Sequence, residues 1–168
     1  MIPPALRRVS SFGTGVGIRV TETTLEFAVV RVRPTGARLA GVHRIDGFRD
    51  KAAAEWGAEA LAFLKSHGAE RQAAIAVLPR RDAQLDTLHP FTEDEVAFGW
   101  QRLNGTQVAV GIVQQRHIDT LIALFSEAGL RLAGISFSGP VLHAALRVTG
   151  APAATLLASW PGDSGGFE

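Results

Sequence analysis

The densest chemistry-bearing cluster in the chain is Gly13-Thr14-Gly15-Val16-Gly17. Glycines at this spacing serve phosphate when backbone N–H groups and a helix N-terminus converge on the anion. That requires a strand before the glycines and a helix after them. Here the order is reversed, because the cluster leads into an alternating strand with Val16, Ile18 and Val20 on one side. No Gly-Lys-Ser/Thr follows. The glycines therefore read as close packing or chain entry. The five histidines stand at 43, 67, 89, 117 and 143. None forms an i, i+4 helical pair and no His-Glu-x-x-His occurs, which argues against zinc or di-iron. A Ser-His-Asp triad lacks its Gly-x-Ser-x-Gly elbow. Paired carboxylates would have to come from Asp82, Asp86, Glu93, Asp94 and Glu95, which are better explained as acids favouring a helix N-terminus. With no Tyr in the chain, a base-stacking platform is weak.

Composition narrows the classes further. The 168 residues form one domain or two small lobes sharing a core, and a chain of this size buries roughly 70% of its unfolded surface without staples. There is no cysteine, which removes disulfides, zinc-thiolate sites, iron–sulfur clusters and a Cys nucleophile together. Lys and Arg number 17 against 16 Asp and Glu, a net charge of +1. A general nucleic-acid coat would need a large basic excess. Charge is uneven nonetheless: residues 1–51 are basic and residues 82–95 are acidic. The bland reading of that asymmetry is a solvated face and a capped helix, and the functional one is two sides of a cleft. No window supports a membrane-spanning helix, and the first eleven residues lack the apolar run of a signal peptide. The Gly-rich end, Gly162 to Glu168, reads as the end of a fragment.

These residues must be positioned by a definite element order. Gly15–Val20, Leu25–Arg33 and Arg38–Ile45 read as an antiparallel meander, with Pro34-Thr35-Gly36 turning the second strand into the third. A helix from an Asp50 N-cap to His67 carries Trp56, Ala60, Phe63 and Leu64 on one stripe, with Gly68 closing it. Ala73–Leu78, ended by Pro79, reads as a buried central strand. In a second unit, Leu85–Phe91 is extended. Thr92 to Glu95 reads as a capping box opening a helix with Val96, Trp100 and Leu103 on one side. Then follow a strand at 107–113, a helix at 115–128 ended by Gly129, a strand at 132–137, a helix from Ser138-Gly139-Pro140 to Val148, and a strand beginning at Ala153. Arg-Leu-Ala-Gly recurs at 38–41 and 131–134, a coincidence at this length rather than a duplication.

Strand, polar turn, long strand, third strand, helix and buried strand match the ribonuclease H-like core of actin-like ATPases. Gly17-Ile18-Arg19-Val20-Thr21-Glu22-Thr23-Thr24-Leu25 resembles the opening of the PilM family of type IV pilus assembly proteins. That opening reads Gly-Ile-Asp-Ile-Gly-Ser-Ser-Ser-x-Lys. Ala74 to Pro79 resembles the family's strand ending in Pro. Val108–Val113, Glu127-Ala128-Gly129-Leu130, Gly134–Phe137 and Ala144-Ala145-Leu146 resemble its inserted subdomain. The cytoplasmic part of the type II secretion protein GspL is a similar relative. The resemblance implies an α/β fold with a core subdomain at 15–80, an inserted α/β subdomain at 81–150, and the start of a truncated second half at 151–168. In that half Ser159-Trp160-Pro161-Gly162 stands where the family has Asp-x-Gly.

In the family, the Asp of the first turn organises Mg²⁺ and the Gly admits phosphate. Here those positions are Arg19 and Thr21, and with Thr23 they make a degenerate phosphate turn. A cation in place of the carboxylate opposes Mg²⁺, although Arg could meet phosphate directly. The expected role is therefore a non-catalytic, cytoplasmic scaffold peripheral to the inner membrane, with no cofactor and no catalytic residue. It would belong to a pilus or type II secretion-like platform. Its partner would be the cytoplasmic tail of a PilN-like inner-membrane protein, held in a groove between the two units. Arg80, Arg81 and Phe91 are the candidate partner contacts, Phe91 doubling as a hydrophobic staple onto Val96. The alternative is an ATP/Mg-binding domain of the actin-like or sugar-kinase class.

Overall fold

The computed structural model describes residues 13–78, 95–102 and 108–148. Strands β1 (Gly13–Val20), β2 (Thr24–Arg33) and β3 (Gly36–Asp46) form the expected antiparallel meander. Helix α1 (Ala53–Ser66) crosses to β4 (Ala74–Leu78), which pairs with β1 in parallel. Next come β5 (Val96–Arg102), β6 (Val108–Gln114), α2 (Gln115–Glu127), β7 (Leu132–Phe137) and α3 (Ser138–Val148). The main sheet has the order β3-β2-β1-β4-β7, and β5 with β6 makes a separate two-stranded sheet. The pairings leave β2 as the one strand of the main sheet that runs against the others.

One sheet face is the core. Val16, Ile18 and Val20 of β1, Leu25, Phe27 and Val29 of β2, and Ala74, Ala76 and Leu78 of β4 are all buried. Trp56 of α1 is fully enclosed, edge-on to Phe125 of α2 at 5.6 Å and to Phe48 at 6.1 Å. The two helices meet closely because position 57 is Gly: a Cβ there would run into the backbone of Ala128. Both helices end alike. Gly68 and Gly129 adopt φ of +64° and +75°, and Ala69 and Leu130 donate back to the carbonyls of Leu64 and Phe125. This is the double-bonded glycine stop expected from the sequence.

The structure corrects the sequence reading in three places. Asp50 is not the cap of α1. It lies in a short 3₁₀ turn (Phe48–Asp50), and the N-cap is Ala52. Phe48 is 1% exposed, so the chain turns once to drop that ring into the core before the helix starts. The helix expected after Thr92 is instead strand β5, paired antiparallel with β6 from Val96↔Gln114 to Arg102↔Val108. Val96, Phe98 and Trp100 alternate with Ala97, Gly99 and Gln101, so period two was also present. A β-branched residue, aromatics and an internal Gly favour strand over helix, and the partner strand settles it. Finally, β6 and β7 do not share a small sheet. β7 pairs in parallel with β4, with α2 in the crossover that brings the chain back to the main sheet. Of the expected unit at 81–150, only the β5–β6 hairpin stands apart from the main sheet among the described residues.

Candidate functional site

The turn between β1 and β2 is closed by its own side chains. Thr21 is buried, and its Oγ1 accepts from the Thr24 amide at 2.9 Å and, at 3.3 Å, from that of Thr23. The Thr21 and Thr24 hydroxyls lie 2.8 Å apart, and the Thr21 amide donates to the Thr24 carbonyl at 3.0 Å. Threonine's habit of bonding backbone a few residues on explains the motif. Thr23 is itself exposed, and its carbonyl accepts from the Gly47 amide at 2.7 Å. Arg49 Nε donates to the Glu22 carbonyl at 2.8 Å. The amides of Thr23 and Thr24 thus already have acceptors.

Arg19 stands opposite Glu26 in the β1–β2 register, and Glu26 stands opposite Arg44 in β2–β3. Arg19 Nη1 lies 3.0 Å from Glu26 Oε2, Arg44 Nη1 lies 3.7 Å from Oε1, and Arg44 Nε donates to Asp46 at 2.7 Å. Arg19 is therefore one rung of a cross-strand charge ladder on the sheet face opposite the core. Thr21 and Thr23 meet through the Thr23 amide, whereas the Arg19 side chain is paired with Glu26. The residues present do not fit a Mg-phosphate group: the cation meets a carboxylate and the turn amides meet a hydroxyl. Arg80, Arg81 and Phe91 lie outside the described residues.

A second feature was not visible in the sequence. β7 is an edge strand whose outer side pairs with no described strand. Beside it opens a groove of about 670 Å³ between β7, helix α2 and the inner face of the β5–β6 hairpin. Ala97, Gly99 and Gly111 line the hairpin side, and Ile118 and Ile122 the helix side. Small residues on the hairpin leave the space, while Phe137 packs onto Gly111 at one place. Arg131 is the one charged residue among those lining it. An edge strand presents unpaired N–H and C=O groups, so this groove joins backbone donors and acceptors to apolar walls. The signal that could have suggested it is the run of small residues at alternate positions of two strands. The edge position of β7 cannot be read from its own six residues.

No protein-family model matches the chain, and no curated protein matches it. Among solved structures it is similar to the cytoplasmic domain of EpsL, an inner-membrane component of the type II secretion system of Vibrio cholerae. The TM-score is 0.50 at 14% identity, over 74% of this chain and 57% of that one. The chain thus spans little more than half of that structure's length. Thermus thermophilus RuvC matches at TM-score 0.38 and 14% identity, over 86% of this chain and 73% of its own. A Bacteroides thetaiotaomicron protein with an actin-like ATPase fold and unknown function gives 0.36 and 13%, over 81% and 55%. The last two scores add nothing to the assignment. Sheet order, strand directions and the EpsL likeness together show the fold, a ribonuclease H-like α/β arrangement with a five-stranded mixed sheet.

Proposed function

We propose that this chain is a non-catalytic scaffold domain, PilM-like in role, of a type IV pilus or type II secretion-like assembly platform. It works on the cytoplasmic side, peripheral to the inner membrane, and binds the cytoplasmic tail of a PilN-like inner-membrane protein. The observation that carries this reading is the groove along the edge of β7 that pairs with no described strand. An extended peptide laid there adds a sixth strand through main-chain hydrogen bonds, with alternate side chains against the apolar walls. The β1–β2 turn supports the absence of nucleotide chemistry, since its amides and its cation are engaged within the protein. The likeness to an inner-membrane secretion component is in keeping with such a role. Arg80, Arg81 and Phe91 remain candidate contacts from the sequence.

The test uses room already present. A Cβ at Gly99 meets nothing within 4 Å, and Gly99 lines the groove, so Gly99→Phe grows a ring into the groove from a point that is open at its Cβ. Fluorescence anisotropy of a labelled tail peptide from the neighbouring inner-membrane gene should show saturable binding to the native chain. Gly99→Phe should lose it by at least about tenfold, the equivalent of 1.4 kcal/mol. Equal affinity in the two proteins would remove the groove from the account. Saturable heat with Mg-ATP in isothermal titration, abolished by Arg19→Ala, would restore the ATPase reading.

A further inference from the structure

The edge of the main sheet far from the groove carries the same local form as β7. Arg-Leu-Ala-Gly stands at 38–41 in β3 and at 131–134 at the head of β7. In both strands the pairing skips the Ala. Leu39 and Gly41 pair with Val30 and Val29, and Leu132 and Gly134 pair with Ala74 and Ile75. Each edge thus bulges at the residue after its Leu. The two strands run in the same direction. Leu132 packs against the core, while Leu39, on the opposite sheet face, is 57% exposed. A half-turn about the strand axis brings one edge onto the other, so an incoming strand meets the same backbone form at either.

The β3 edge is also basic. Arg38 stands directly opposite Arg31, and Arg33 lies on the same face. All three are exposed. Like charges in opposed positions cost stability, and no described ion pair neutralises these. Arg31 donates to the His67 carbonyl and Arg33 to the Val32 carbonyl, neither of which carries charge. No Asp or Glu occurs from Met1 to Thr21 or from Phe27 to Ile45. Helix α1, packed behind the strand, brings Lys65, His67 and Glu59, with Glu70 just beyond its end; Glu59 is engaged by His43 at 2.8 Å. Glu26 and Asp46, toward the other end of the sheet, are engaged by Arg19 and Arg44. Around Arg38, four permanent cations therefore meet two carboxylates, one of them already engaged.

The other face of the same stretch is apolar, with Val42 66% exposed beside Leu39. The outer side of β3 pairs with no described strand. Unpaired backbone groups, guanidinium forks on one face and apolar side chains on the other match an extended segment that alternates acidic and apolar residues. A lipid or nucleic-acid phosphate would use the arginines and leave the backbone edge idle. A second copy is disfavoured, because its β7 aligned on the shared tetrapeptide sets Arg131 against Arg38.

We propose that the outer edge of β3 is a second strand-addition site, for an acidic extended segment of a partner protein. Its carboxylates meet Arg38 and Arg31, and its apolar side chains lie over Leu39 and Val42. The proposal does not rest on the scaffold reading, whose tail peptide lies on β7.

The probe is a labelled, end-blocked peptide Glu-Val-Glu-Val-Glu-Val, with Lys-Val-Lys-Val-Lys-Val as its counterpart. In anisotropy the acidic peptide should bind the full chain saturably, and the basic one at least about tenfold more weakly. Arg33→Glu/Arg38→Glu should weaken the acidic peptide by about tenfold or more at an unchanged melting temperature. The same variant should gain the basic peptide, which a misfolded chain could not do. Gly99→Phe, which fills the β7 groove, should leave acidic-peptide binding unaltered. With that peptide bound, the amides of Gly36 to Val42 that do not pair with β2 should exchange at least about tenfold more slowly. Equal binding of the two peptides, undiminished affinity in the arginine variant, or loss of binding in Gly99→Phe would each overturn the proposal. Bound peptide without protection of β3 would reduce the arginines to a diffuse charge effect and overturn it as well. So would phosphatidylglycerol vesicles or duplex DNA that bind through these arginines while the peptide does not.

Discussion

Replacing Thr21 by Val keeps the shape of the side chain and removes its hydroxyl. Thr21 is 8% exposed and Thr24 6%, so the groups that lose their partner have little access to water. The Thr24 amide loses a 2.9 Å acceptor and the Thr24 hydroxyl a 2.8 Å partner. The Thr23 bond is longer, at 3.3 Å, on an exposed residue, and water can replace it. A buried polar group left unpaired costs about 1–3 kcal/mol. With two such groups and some relaxation of the Thr24 rotor, the expected loss is about 2–4 kcal/mol. In guanidinium unfolding the midpoint should fall with the slope unchanged, and the melting temperature should drop by roughly 5–10 °C. Thr21→Ser keeps the hydroxyl and loses one methyl, so its cost should be about 1 kcal/mol. A loss below about 0.5 kcal/mol for Val, or equal losses for Val and Ser, would refute the idea that the hydroxyl closes this turn. It would also free Thr21 for a role toward ligand.

Gly57→Leu should be among the most damaging single changes, lowering stability by about 2 kcal/mol or more through overpacking, because its Cβ alone would meet the Ala128 backbone; a melting temperature within a degree of native would show that α1 and α2 can separate freely. Arg19→Ala should cost no more than about 1 kcal/mol by chemical denaturation, since its ion pair is over a third exposed on both sides. The double change Arg80→Glu/Arg81→Glu should leave stability within about 1 kcal/mol and weaken tail-peptide binding in the anisotropy assay; undiminished affinity would remove the arginine pair from the partner site.

The meander, α1, β4, α2, β7 and α3 were all legible because each has a single dominant period and clear punctuation. Gly68 and Gly129 marked two helix ends through the left-handed conformation that a Cβ penalises. What failed did so for physical reasons. Val96, Trp100 and Leu103 satisfy a helical stripe while Val96, Phe98 and Trp100 satisfy a strand, and only the partner β6 decides between them. Asp50 has the right chemistry for a cap, but Phe48 gains more by entering the core than Asp50 would by capping. The pairing of β7 with β4 joins residues nearly sixty positions apart, and no local pattern encodes it. At the site, the departure at Arg19 and Thr21 was legible. Its meaning was not: the partners Glu26 and Thr24 emerge only from register. The groove was invisible because it depends on which strand ends the sheet.

The central claim is that the working surface is the outer edge of β7, which pairs with no described strand, and not the β1–β2 turn. Amide hydrogen exchange on the full chain, with and without the inner-membrane tail peptide, tests it most directly. The β7 amides that do not pair with β4 should slow by at least about tenfold on peptide binding, as they would in a newly paired strand, while Thr21 to Thr24 should not change. Bound peptide with β7 exchange unaltered would contradict the account.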